Sequence, residues 1–171
     1  MDEKLYLPHS TRCFICGESN DVGLKCRFFT NETGHVYLTP TVQPHYCGFM
    51  SVVHGGIQTA MLDEAMGWCG FTQGESEELY FTREINVKFK RNVPPSVPIF
   101  IETSLTDIKR GFAYTEGSIR DESGTVMTTA TGIFVPIPKV KMAETSNFLL
   151  YVNDGRRYLE KAMRVCNPTA V

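Results

Sequence analysis

The chain has 171 residues, of which 42% are hydrophobic and 21% charged, with a formal net charge of −2. That length fits one domain with a sizeable core, and the near-neutral balance excludes an electrostatic case for nucleic acid as the main partner. No apolar run approaches the ~20 residues of a membrane-spanning helix, and Met1-Asp2-Glu3-Lys4 carries no secretory pattern, so a cytoplasmic protein is expected.

Residues 8–24 are rich in turn formers, with Pro8, Gly17, Asn20 and Gly23. They include Cys13-Phe14-Ile15-Cys16, a pair with zinc-like spacing that His45-x-Cys47 could complete if the loops met. Structural zinc sites usually show two recognisable pairs. A thiol pair packed under the first strand is therefore the preferred reading, and no metal is expected. The six cysteines, Cys13, Cys16, Cys26, Cys47, Cys69 and Cys166, are expected to be free thiols.

Leu24–Thr30 reads as a strand, Asn31-Glu32-Thr33-Gly34 as a hairpin turn, and His35–Thr39 as the partner strand. A loop with Pro40, Pro44 and Gly48 leads to His54-Gly55-Gly56. Beyond it Ile57, Ala60, Met61, Ala65 and Trp68 recur at spacings of three and four. The pattern predicts a helix buried on most sides.

Asp63 and Glu64 stand out on that helix, because buried carboxylates are costly. Glu64 points about 100° away from Asp63 around the axis and is expected at a surface or interface. A helix start exposes unsatisfied N–H groups and partial positive charge, and glycine lets an electrophile's oxygen come close. Such a start can bind a developing oxyanion. Asp63 follows about two turns later, and near apolar walls it becomes a better base for water. Together these features point to acyl-transfer chemistry. His54 is kept among the catalytic candidates, although a hydrogen-bonded role in the turn is the commoner fate of such a histidine.

Four strand-like runs follow: Leu79–Lys90, Pro98–Asp107, Gly111–Arg120 and Thr125–Pro136. Apolar residues alternate at Ile85, Val87 and Phe89, as in an antiparallel sheet with one covered face. Met61, Met66, Trp68, Phe71 and Phe81 are expected in the core, where some could line an acyl pocket. After Pro138 the chain turns polar, and Phe148–Val165 is predicted to be a terminal helix interrupted by Gly155. The expected division is an N-terminal loop segment at 1–23, a folded domain at 24–137 and a polar segment with a helix at 138–171. The fold class is α+β: an antiparallel sheet of five to six strands wrapped around one long helix, plus a C-terminal helix.

Three motifs, in order, carry a family resemblance. They are Cys13-Phe14-Ile15-Cys16-Gly17 with Asn20 and Gly23-Leu24; His54-Gly55-Gly56 with Asp63-Glu64-Ala65-Met66-Gly67; and Thr82 with Phe89, Gly124 and Thr131-Gly132-Ile133-Phe134. Over residues 12–136 the chain resembles the hotdog-fold thioesterase superfamily, especially its phenylacetate-pathway and 4-hydroxybenzoyl-CoA thioesterase-like branches.

The resemblance implies a homodimer or homotetramer with active sites at the subunit interface. It implies a coenzyme A thioester as substrate and no separate cofactor. Asp63 would be general base or nucleophile, and the Gly55 amide would polarise the thioester carbonyl. Thr82 would assist from the other subunit, and Gly56 would stand near the substrate. Lys90 or Arg91 would meet the coenzyme A phosphates, which need positive partners. In many relatives an amide or acidic side chain precedes the His-Gly-Gly; here Cys47 stands near that place and Gln43 is the nearest amide. Two rival readings are a non-catalytic hotdog module binding acyl-CoA or a related metabolite, and an acyl-thioester hydratase or dehydratase. The second lacks its usual motif here.

Overall fold

The computed structural model describes residues 4–74, 78–146 and 149–150. In chain order the strands are β1 (Leu5–Tyr6), β2 (His9–Ser10), β3 (Phe29–Thr30), β4 (Val36–Leu38), β5 (Cys47–Phe49) and β6 (Val52–Val53). The long helix α1 (Gly55–Gln73) follows. Then come β7 (Tyr80–Phe89), β8 (Phe100–Lys109), β9 (Phe112–Arg120) and β10 (Val126–Pro136), the short helix α2 (Lys139–Ser146) and β11 (Leu149–Leu150). Seven strands make one antiparallel sheet in the order β1-β3-β4-β8-β9-β10-β7. This is the expected α+β hotdog arrangement, with β1 as a strand beyond the expected six.

The turns explain how the long strands fold back on one another. Arg110 (φ 53°) and Gly111 (φ 80°) both take the left-handed region between β8 and β9, the backbone of a two-residue hairpin whose twist matches its strands. Between β9 and β10, Gly124 (φ 82°) closes a turn in which its N–H donates to Asp121 O at 2.9 Å.

The sheet curls over α1. Met61, Leu62, Ala65, Met66 and Cys69 of the helix are all fully buried, with Ile101, Ala113, Ile119 and Phe134 of the sheet nearly or fully so. Gly117 on β9 makes the close approach possible. A Cβ there would lie 2.6 Å from Thr103 Cγ2 and 3.1 Å from Leu62 Cδ2. Phe71, Met61, Met66 and Trp68 are core residues as expected; Phe81 is instead 44% exposed, because β7 is the edge of the sheet.

Two expectations on the elements change. The strand foreseen at Leu24–Thr30 shrinks to Phe29–Thr30, since Lys25 has a φ of 53° and cannot continue an extended run. Its neighbours still pair locally: Leu24 N–H donates to Phe14 O (2.9 Å) and Cys26 N–H to Ile15 O (2.7 Å). The second helix lies at Lys139–Ser146, ahead of the segment foreseen. Leu149 and Leu150 pair with Ser10 and His9 as a strand, so tertiary pairing overrides helix propensity there. Residues 151–165 of that predicted helix, and Cys166, lie outside the described residues. Among the described residues no helix is long and apolar enough to cross a membrane.

Candidate active site

The start of α1 is built by His54. Its Nδ1 accepts the Gly56 N–H at 2.8 Å, and its carbonyl accepts from Ile57 (2.9 Å) and Gln58 (3.1 Å). His54 is therefore the N-cap of the helix, the structural role foreseen as the commoner one. The cap occupies the Gly56 amide. Among the described residues no acceptor takes the Gly55 N–H, so it remains the open donor at the positive end of the helix. A Cβ at Gly55 would stand 3.1 Å from the Phe89 ring, so the absence of a side chain lets β7 close over the helix start. Lys90 and Arg91 follow Phe89 directly. Their N–H groups donate to Met127 O at 2.8 and 3.0 Å, and both residues are exposed. That brings a basic pair to the end of the sheet beside Gly55.

Asp63 lies two turns along α1, half-buried. Burial raises its proton affinity above the ordinary carboxylate value, opposed by the Thr82 hydroxyl, which donates to Asp63 Oδ1 at 2.8 Å. Thr82 was expected from another subunit; here it reaches Asp63 within one chain, because β7 runs alongside α1. Gly55 and Asp63, by contrast, are eight residues apart on one helix, about 12 Å at 1.5 Å per residue. A single carbonyl cannot touch both in the same chain.

Glu64 does not face solvent as expected. Its Oε2 accepts the Cys13 thiol at 2.8 Å, in a half-buried contact with the N-terminal segment. Burial pushes Glu64 up to about 8. The neighbouring Cys16 hydrogen bond draws Cys13 down to about 5, and the same bond with burial raises Cys16. His45 and Cys47, the completing pair considered for a metal, do not join this group; Cys13, Cys16 and Glu64 form it. Each of the five cysteines among the described residues is free.

Gln58, unremarked in the sequence, is buried and spans the helix start. Its Nε2 donates to Val53 O (2.8 Å), and its Oε1 accepts from Thr128 (2.6 Å). A glutamine four positions after a helix cap amid apolar neighbours was the available signal. Cys47 lies in β5, paired with Val53 of β6 directly before the cap. The hairpin tip it leads to is bare, with Phe49 84% and Met50 95% exposed. A hollow of about 730 Å³ is lined by His35, Glu84, Glu102, Arg120 and other residues on the sheet face turned from α1, and includes none of the candidates.

The family model of the Thioesterase superfamily matches residues 50–128, the span from the loop before the cap to the start of β10. An acyl-coenzyme A thioesterase of cattle, THEM4, is 28% identical over 99 residues, covering 57% of this chain. The chain spans only 39% of that relative's length. A crystal structure of a thioesterase superfamily protein superposes with a TM-score of 0.67 at 24% identity, over 72% of this chain and 63% of that one. A Streptococcus mutans protein bound to acetyl-CoA superposes with a TM-score of 0.58 at 15% identity, over 64% and 86%. The central segment thus matches the Thioesterase superfamily model, and the sheet curled around a single long helix has the hotdog fold of these solved structures.

Proposed function

We propose that the protein hydrolyses an acyl-CoA thioester in a site shared by two copies of the chain. The observation that carries this reading is the half-buried Asp63 with its Thr82 partner at 2.8 Å, on the same helix as an open Gly55 amide but about 12 Å from it. Water held against Asp63 of one copy loses a proton to the carboxylate as its oxygen attacks the thioester carbon. Negative charge builds on the carbonyl oxygen and is met by the Gly55 N–H of the second copy. Collapse of the tetrahedral intermediate breaks the C–S bond and releases the coenzyme A thiolate and a carboxylic acid. Direct attack by Asp63, through a mixed anhydride that water then opens, uses the same geometry. Lys90 and Arg91, beside the helix start, supply cations for the coenzyme A phosphates. The thioesterase relative and the acetyl-CoA-bound neighbour support this substrate class.

The test is thiol release from a panel of acyl-CoAs, short to long and aliphatic to aromatic, with wild type and Asp63→Asn in parallel. Loss of a general base predicts a fall in kcat of about 10² to 10⁴ with little change in affinity. A variant that keeps most of its kcat would remove Asp63 from the mechanism. The second reading, a binding module, is favoured by Cys47, which stands near the place where many relatives carry an amide or acidic side chain. Thermal stabilisation by an acyl-CoA with no thiol released from any of them would establish it instead.

A further inference from the structure

The N-terminal segment presents a cluster that the acyl-transfer site does not use. Cys13, Cys16 and Glu64 each offer one donor atom, and the three atoms lie within 4.8 Å of one another. Cys13 and Cys16 sit on a tight turn. Ile15 N–H donates to Cys13 Sγ at 3.2 Å, Ser10 N–H donates to Cys16 Sγ at 3.3 Å, and Gly17 N–H closes the turn on Cys13 O at 2.9 Å. Backbone N–H groups aimed at sulfur favour thiolates over thiols. The turn also admits only glycine after Cys16: a Cβ at Gly17 would stand 2.4 Å from Cys13 O and 2.6 Å from Cys13 N.

A thiol pair packed for its apolar character would not need Glu64. The helix delivers that carboxylate to the two sulfurs, and among the described residues no lysine, arginine or histidine pairs with it. Arg27 is close, but its guanidinium is spent on Cys16 O (2.7 Å), Cys26 O (3.2 Å) and Glu18 (3.1 Å). Fully deprotonated, two sulfurs and a carboxylate gathered out of water repel one another, and a cation joining them relieves that cost. Sulfur donors select a borderline-soft divalent ion and disfavour magnesium or calcium.

We propose that Cys13, Cys16 and Glu64 bind a zinc ion that pins the N-terminal segment to the helix carrying Asp63. The protons still held by these three groups leave to solvent as the ion enters, and the donors then carry three negative charges against two positive. The guanidinium of Arg27, bonded to Cys16 O, stands beside the remaining charge. Three protein donors leave the fourth tetrahedral position to water, so the ion exchanges rather than being sealed in. Its role is mechanical: it fixes residues 10–17 against α1 one residue from the candidate base.

The full-length protein, reduced with a phosphine and stripped by a chelator, is titrated with zinc against a chromophoric competitor, and separately with cobalt(II). The wild type is expected to take up one equivalent of zinc and gain thermal stability. Its cobalt form is expected to show thiolate-to-metal charge-transfer absorption. Cys16→Ser and Glu64→Gln should each lose the tight equivalent, and Glu64→Gln, nearly isosteric, guards against misfolding as the cause. No uptake beyond that of the variants, or no cobalt–thiolate absorption, overturns the proposal. So does a Cys13–Cys16 disulfide that survives the reductant. These readouts are independent of thioester hydrolysis, so the two readings stand or fall separately.

Discussion

His9 is 2% exposed, and its Nε2 lies 2.8 Å from Glu18 Oε1. Burial lowers its proton affinity below the ordinary 6.5, and the pull of Glu18 does not overcome that. The folded chain therefore favours the neutral ring. Above pH 6.5 the histidine is neutral in both states and costs nothing. As the pH falls through 6.5 the unfolded chain takes up a proton that the folded chain resists, so stability declines until the folded group titrates as well. Melting curves between pH 8 and pH 5 should show the wild type losing thermal stability below about 6.5. His9→Gln keeps a donor toward Glu18 without the titration and should give a flatter profile; parallel profiles would assign the effect elsewhere. None of this was legible in the sequence, where His9 reads as one residue of a turn-rich segment. The strand that carries it, β2, pairs with β11 across about 140 residues.

At the scale of elements, α1 was legible at its start. His54-Gly55-Gly56 marked its opening, and the helix does begin at Gly55 with His54 as N-cap. Its neighbours were not legible, because periodicity says which face is apolar and not what covers it. One close approach is with β9, where Gly117 lies under Leu62 and beside Thr103. Gly117→Ala puts a methyl into that contact and should cost about 1–3 kcal/mol by overpacking. For a chain of this size that is a fall in Tm of roughly 2–4 °C per kcal/mol. An unchanged Tm would mean that the helix can lift off the sheet at little cost. The same packing explains why Glu64 was misread. Adjacent to Asp63 and amid apolar residues, it seemed destined for a surface, but the N-terminal segment folds over that side of α1 and buries it against Cys13.

For the whole molecule the decisive relation is between Gly55 and Asp63. A shared site needs two copies, and β7 is a ten-residue edge strand exposed along most of its length, the kind of edge a second sheet can extend. Subunit mixing tests this directly. Gly55→Pro deletes the proposed donor at the first helical position, where the backbone tolerates proline and the Phe89 ring has to give by a few tenths of an ångström. His54 (φ −54°, ψ 135°) already has the backbone that precedes proline. Gly55→Pro and Asp63→Asn should each be inactive alone. Mixed after dissociation, half of the dimers are heterodimers with one of two sites intact, so about a quarter of wild-type activity should return. No recovery from well-mixed heterodimers would place both groups in a single-chain site and refute the shared geometry.

Local chemistry was enough to determine the long strands, the hairpin turns at Gly34, Gly111 and Gly124, and the capped helix with its carboxylate. Each rests on contacts between residues near in sequence: alternation, backbone freedom at positive φ, and three-to-four spacing. Tertiary structure alone decided that Thr82 bonds Asp63 within the chain, that Glu64 joins Cys13 rather than solvent, that Phe81 lies on an exposed edge, and that Leu149–Leu150 extend as a strand against His9–Ser10. Those facts depend on which distant segments share a neighbourhood. No local pattern encodes that choice, because it is set by how one sheet closes over one helix.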